Sequence, residues 1–148
     1  MAPLDKAVVA NQLEDLGDFH HFFTSKELRY LPDILNLGER VCGVTSGFYD
    51  SATWIIVITN ARLIFLDKGM FHGLRQIDLP LSQVTSVMHR TGYFFGELEV
   101  STSSGTQKIT KITKGDVVKI ASIISGILHP APNGSPADIA TQLEKLGN

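Results

Sequence analysis

Apolar positions are densest in WIIVITNARLIFLDKG, residues 54–69, where a polar TNAR break separates two runs. The first run stops at Ile58; the second begins at Leu63 and ends at Leu66. Neither approaches the roughly 18 to 20 uninterrupted residues that a membrane-crossing helix needs. Trp54 to Ile58 are β-branched or aromatic, which suits a pleated strand better than a helix. Leu63 to Leu66 read as a second strand, and Asn60, which tolerates positive φ, falls where a tight antiparallel turn needs it. Neither run alternates cleanly, so both strands are expected to be buried on two faces or packed at a barrel-like corner.

The pattern changes on either side. Val9, Leu13 and Leu16 stand at i, i+4 and i+7 with Gly17 beyond, which predicts a short amphipathic helix and its stop. Thr24 and Glu27 have capping-box spacing, and Phe23 and Leu28 the spacing of a hydrophobic staple, until Pro32 interrupts the pattern. From Glu39 to Ile112 the segments ERVCGVT, TWIIVIT, RLIFLD, LRQIDL, QVTSVMH, FGELEVST and TQKITKI read as seven strands at short spacing. Val117, Ile120, Ala121, Ile124, Ile127 and Leu128 then form one helical stripe, with Thr113 and Asp116 at capping-box spacing before it. HPAPNGSP, residues 129–136, reads as a linker, and ADIATQLEKLGN as the start of a small helix.

The expected class is therefore α+β: a seven-stranded antiparallel barrel or two-sheet sandwich, capped by a helix from about Lys114 to Leu128. Residues 1–38 would be a helical extension packing on the domain, 39–128 the domain, and 129–148 a linker with the start of a short helix. Seven strands and a terminal helix is the order of the pleckstrin-homology (PH) superfold. VITNARLIFLDKG, IDLPLSQVTSV and FGELEVSTSSGTQKI resemble, in order and spacing, the bacterial PH-like family that includes YokE-like domains, over about residues 24–128. IATQLEKLGN is similar to the opening of the short C-terminal helical module (SHOCT) found behind such domains, cut short here. The resemblance implies a PH-like binding module, with self-association as in some relatives.

At 148 residues and 43% hydrophobic, the chain can bury a substantial core. Its formal charge of −2 argues against a nucleic-acid partner, which would call for a basic face. The single Cys42 can form no internal disulfide, and MAPLDKAVVANQL lacks a signal-peptide core, so a cytoplasmic location is expected. His20, His21, His72, His89 and His129 have no zinc-like spacing, and the GxSxG, GxxxxGK[ST] and GxGxxG motifs are absent. Glu97 and Glu99 would lie about 7 Å apart on one strand face, a separation compatible with a glycosidase pair. With Leu98 and Val100 pointing inward, however, they read as a solvated face. No catalytic, cofactor or metal residue is assigned. Lys108, Lys111 and Lys114 suggest a basic stripe that strand alternation should disperse, with Lys114 starting the helix.

What remains is binding. The expected loop SGFYDSAT between the first two strands lacks the Lys/Arg cluster of phosphoinositide-binding PH domains, but it holds Phe48 and Tyr49. KGMFHG, between the third and fourth strands, holds Met70 and Phe71, flanked by Lys68 and His72. In a PH fold these loops open at the same end, where the six residues would form an exposed apolar rim; alternatively, the side chains fold back as a plug. Tyr93, Phe94 and Phe95 carry less weight, because alternate residues of a strand entry normally go inside. The expected function is a non-catalytic protein-interaction module with a protein partner or a second copy. The alternative is a peripheral membrane or phospholipid-binding module, disfavoured by the near-neutral charge.

Overall fold

The computed structural model describes residues 31–67 and 75–130. The expected elements at 4–16 and around Thr24, the KGMFHG connection and most of the C-terminal segment lie outside the described residues. A short helix, α1 (Leu31–Ile34), precedes seven strands: β1 (Val41–Tyr49), β2 (Ala52–Thr59), β3 (Arg62–Asp67), β4 (Gln76–Pro80), β5 (Val84–Thr91), β6 (Phe95–Thr102) and β7 (Gly105–Thr113). A 3₁₀ turn, Leu81–Gln83, links β4 to β5, and α2 (Lys114–Leu128) follows β7. Pro32, expected to interrupt a helix, lies inside α1.

All pairings are antiparallel, in the order β4-β3-β2-β1-β7-β6-β5. The sheet is not closed, since β4 and β5 are its two edges. Its halves join at one point, where Phe48 pairs with Thr110. Gly47 makes this approach possible: a Cβ there would stand 2.7 Å from Ile109 Cγ2 and 3.2 Å from the Thr110 carbonyl oxygen.

The apolar stretch that dominates the sequence forms the β2–β3 hairpin, with Ile58 opposite Leu63 and Trp54 opposite Asp67. Its failure to alternate is explained by burial on both sides. Trp54, Ile56, Ile58, Leu63 and Phe65 enter the main core with Leu98, Val100, Ile109 and Ile112; Ile55, Val57, Ile64 and Leu66 enter a second core with Leu31 and Leu35. The turn is made differently from expectation, because Asn60 is not among the positive-φ residues. The Thr59 hydroxyl accepts the Ala61 and Arg62 N–H groups, and Asn60 Oδ1 accepts the Arg40 N–H at 2.7 Å, tying the turn to the chain entering β1.

The helical stripe is placed as expected. Val117, Ile120, Ala121 and Ile124 are buried in the main core, with Ile127 and Leu128 packed at its margin. Thr113 is the N-cap of α2, but its side chain makes no capping bond, and Asp116 is committed elsewhere: its buried carboxylate accepts a 2.9 Å hydrogen bond from the Thr45 hydroxyl on β1. The expected capping box is replaced by a strand-to-helix tie.

Candidate binding surfaces

The β1–β2 connection is far shorter than SGFYDSAT. Strand β1 runs on through Tyr49, because Asp50 and Ser51, at φ 46° and 61°, make a two-residue hairpin turn and leave Ser46 to Tyr49 paired with Ala52 to Ile55. Strand alternation then sends Phe48 and Tyr49 to opposite faces.

Tyr49 turns toward the core. Its ring packs against Phe65 at 5.0 Å between centroids, and its hydroxyl donates to Gln107 Oε1 at 2.6 Å. Trp54 Nε1–H donates to the Tyr49 carbonyl at 2.7 Å, and the Arg75 guanidinium stacks 4.9 Å from the Trp54 ring while pairing with Asp67. Burial, followed by the Asp50 carboxylate, pushes the Tyr49 phenol above its usual pKa. The β1–β2 turn and the end of β3 thus meet beside Trp54. Lys68, Met70, Phe71 and His72 lie outside the described residues.

Phe48 faces outward, 36% exposed, with the Lys111 ammonium 5.0 Å from its ring centroid. Lys111 owes this position to a β-bulge. Between the pairs Gly96–Ile112 and Leu98–Ile109, β7 carries one more residue than β6, and Lys111 takes φ 55°. Strand alternation is reset there, so Lys108 and Lys111 are both exposed, each directly before an inward residue, Ile109 and Ile112. The basic stripe expected to disperse on folding is in this part retained, and Lys108 reaches Glu97 at 3.3 Å. Glu97 and Glu99 flank the buried Leu98 on the outer face, as on a solvated sheet.

Sequence reasoning undervalued Tyr93, Phe94 and Phe95. They are 86%, 73% and 53% exposed, at the β5–β6 turn. The Gly92 N–H donates to the Phe95 carbonyl at 2.7 Å, and the Lys114 N–H reaches the Phe94 carbonyl at 3.3 Å, so the turn is held against the start of α2. The Tyr93 and Phe94 rings stand edge to face, 4.7 Å apart. Read from the sequence, RTGY is the connection and the aromatics a strand entry; Gly92 and Gly96, bracketing them in TGYFFG, are the signal that the turn extends to Phe94. An open groove lined by Arg90, Gly92, Phe95, Glu97, Thr110 and Lys111 runs beside this tip.

Among the described residues no three His, Cys, Asp or Glu side chains converge as metal ligands would, and no helix is long and apolar enough to cross a membrane. The most concentrated polar cluster, Glu39 with Arg62, Thr59 and Asp78, is tied up by hydrogen bonds within itself and with the Asn36 N–H and the Ile34 carbonyl, and no buried side-chain polar atom among the described residues lacks a partner.

Residues 35–125, more than half of the sequence, match the family described as the bacterial PH domain. The chain belongs to that family. Solved structures agree on the fold of this bacterial PH domain. It is similar to a DUF1696 family protein with a pleckstrin-homology domain from Shewanella loihica, at 22% identity and TM-score 0.51, covering 74% of this chain and all of that one. A pleckstrin homology domain from Shewanella amazonensis is similar at 23% identity and TM-score 0.50, over 70% of this chain and 96% of the other. The C-terminal domain of an unknown protein from Leishmania infantum, 15% identical, has a TM-score of 0.51 over 68% of this chain and 94% of the other. No curated protein matches the chain.

Proposed function

We propose that this bacterial PH domain is a cytoplasmic, non-catalytic binding module that works through protein–protein contacts, self-association among them. The observation that carries the proposal is the setting of Phe48. It is an outward aromatic with a cation over its ring, on a surface where Lys108 and Lys111 alternate with Glu97 and Glu99. An aromatic anchor amid both signs of charge suits the mixed polar rim of another protein, whereas the carboxylates would repel an anionic bilayer at mid-sheet.

The proposed contact residues are Phe48 and Tyr49 with Lys68, Met70, Phe71 and His72, which follow β3. The pairing of Trp54 with Asp67 supports grouping them at one end. Tyr49 would act from behind by fixing the turn. A YokE-like position within the family, and a SHOCT-like start at IATQLEKLGN, belong to the same proposal. The test is the light-scattering mass of the chain over a concentration series, beside the Phe48→Ser/Phe71→Ser variant. A concentration-dependent oligomer lost in that variant, with thermal unfolding unchanged, is expected. An oligomer that survives would shift the contact to the unpaired edges β4 and β5.

A further inference from the structure

We propose that the β5–β6 tip, Tyr93–Phe94–Phe95, is a membrane-interface anchor that seats on an anionic bilayer, with Arg90, Lys111 and Lys114 as its basic collar. Three consecutive aromatic residues stand out on a tight turn, the first two with rings nearly perpendicular, at 83°. A rigid protein face would have to be shaped around every side of such a knob, whereas the headgroup region of a bilayer wets all sides and accepts amphipathic rings, the tyrosine hydroxyl included.

Among the described residues, basic side chains outnumber acidic ones around the tip: Arg90, Lys111 and Lys114 stand against Glu97, which lines the same groove and lies opposite Arg90 in the β5–β6 pair. Arg90 and Lys111 line the groove beside Phe95, and Lys114 is joined through its backbone to Phe94. Among the described residues neither Arg90 nor Lys114 has an ion-pair partner. The nearest carboxylate on the outer face, Glu97, is engaged by Lys108; Glu99 lies two residues further along β6, and Asp116 is buried against Thr45. Among the described residues the tip thus has a local basic excess that the overall charge of −2 does not reveal. Attraction of this kind acts within about a Debye length, so the local collar matters more than the net charge.

The tip and the proposed contact residues adjoin through Lys111, which lines the groove beside Phe95 and stands over the Phe48 ring. Phe95 pairs with Thr113 and Phe48 with Thr110, three residues or about 10 Å along β7, while Tyr49 bonds Gln107 further on. The aromatic side chains of the two surfaces differ, so Tyr93→Ser/Phe94→Ser alters the tip while leaving Phe48 and its Lys111 contact in place. One turn and a few charges make a weak, reversible anchor.

The experiment is co-sedimentation of the full chain with phosphatidylcholine vesicles, with and without about one-third phosphatidylglycerol, at about 0.1 and 0.5 M salt. It is accompanied by Tyr93→Ser/Phe94→Ser and by Phe94→Trp as an emission reporter against the buried Trp54. The expected result is pelleting with the anionic vesicles only, reduced several-fold by salt and about tenfold by the double substitution, with a blue shift of the Phe94→Trp emission on vesicle addition. No pelleting, pelleting unaffected by the double substitution, or a reporter that vesicles leave unmoved would overturn the proposal. A reporter that shifts with protein concentration and not with vesicles would also overturn it and make the tip a protein contact.

Discussion

The Arg62 guanidinium and the Glu39 carboxylate meet fork to fork, Nε 2.9 Å from Oε2 and Nη2 3.0 Å from Oε1, at a site where the glutamate side chain is only 3% exposed. Further partners surround both groups. Glu39 also accepts from the Asn36 N–H and the Thr59 hydroxyl, and Arg62 also donates to the Ile34 carbonyl and to Asp78. The cluster joins the segment before β1 to the β2–β3 turn and to β4. Removing the cation would strand a buried carboxylate, so Arg62→Ala should lower stability by about 3 kcal/mol or more. Urea unfolding, read as a lower midpoint at unchanged slope, measures this. A loss well under 1 kcal/mol would mean that water replaces the guanidinium at no cost.

The same pair sets an acid limit. Burial alone would raise the Glu39 pKa, but the Arg62 hydrogen bonds, the Asn36 N–H, the Thr59 hydroxyl and the Arg62 charge together hold it below its ordinary value. Since the folded pKa is depressed, the stabilisation is complete above the unfolded value of about 4.3 and is lost as pH falls through the folded value. Unfolding midpoints measured from about pH 6 to 3 should fall at the acid end, and Glu39→Gln should flatten that limb. In Arg62→Ala the largest lowering influence is gone, so the loss should begin at higher pH. An acid limb identical in all three proteins would remove Glu39 from the account.

Thr45 and Asp116 bind strand to helix in a buried setting, with relative exposures of 1% and 3%. Thr45→Val keeps the shape and removes the donor, leaving an under-satisfied carboxylate oxygen at a cost of about 1–3 kcal/mol. Thr113→Ala should cost less, because the Thr113 hydroxyl makes no capping bond to α2. Equal losses would show that the hydroxyl of Thr113 caps the helix in solution.

Much of the fold was legible because it rests on patterns that repeat. Seven apolar segments and the stripe from Val117 to Leu128 reappear as β1 to β7 and α2, and the lack of alternation in β2 and β3 announced two-sided burial. Features set by single residues escaped. Nothing in the sequence marks Lys111 for positive φ, yet the bulge there returns Lys111 to the side of Lys108. SGFYDSAT looked like a loop because its polar residues hide a two-residue turn at Asp50–Ser51. Glu39, Arg62 and Asp78 converge only through strand pairing, across separations of 23 and 16 residues that no motif spans. The exposed Tyr93–Phe95 turn was discounted by assuming that strand alternation already held there, and rings in a turn follow no such rule.

Two glycines should respond in opposite directions. At Gly47 an added methyl would press on Ile109 and on the Thr110 carbonyl where the two halves of the sheet meet, so Gly47→Ala should destabilise by about 1–3 kcal/mol. At Gly126, exposed on α2 with open space at the Cβ position, alanine relieves only a helix penalty and should stabilise by about 0.5–1 kcal/mol. Thermal unfolding of both variants checks the pair, and a neutral Gly47→Ala would show that β1 and β7 can separate without loss.

Phe48 and Tyr49, adjacent in sequence, should separate stability from association. The Tyr49 ring lies against Phe65 and its hydroxyl donates to Gln107, so Tyr49→Phe should cost about 1 kcal/mol and Tyr49→Ala about 3 kcal/mol or more. Phe48 has a partly wetted ring and one cation–π contact with an exposed lysine, an interaction of about 0.5–1 kcal/mol, so Phe48→Ser should change unfolding by about 1 kcal/mol at most. Association should rank them the other way. Phe48→Ser removes an outward anchor and should raise the dissociation constant of any oligomer about tenfold or more, whereas Tyr49→Phe, which keeps the turn and the ring, should leave it within about threefold. Denaturant curves and concentration-dependent light scattering on the same preparations give both numbers. If Phe48→Ser unfolds the domain, its ring belongs to the core and the outer-face anchor is excluded; if neither substitution alters association, the contact lies on the strand edges, where backbone groups rather than aromatic rings would hold the partner.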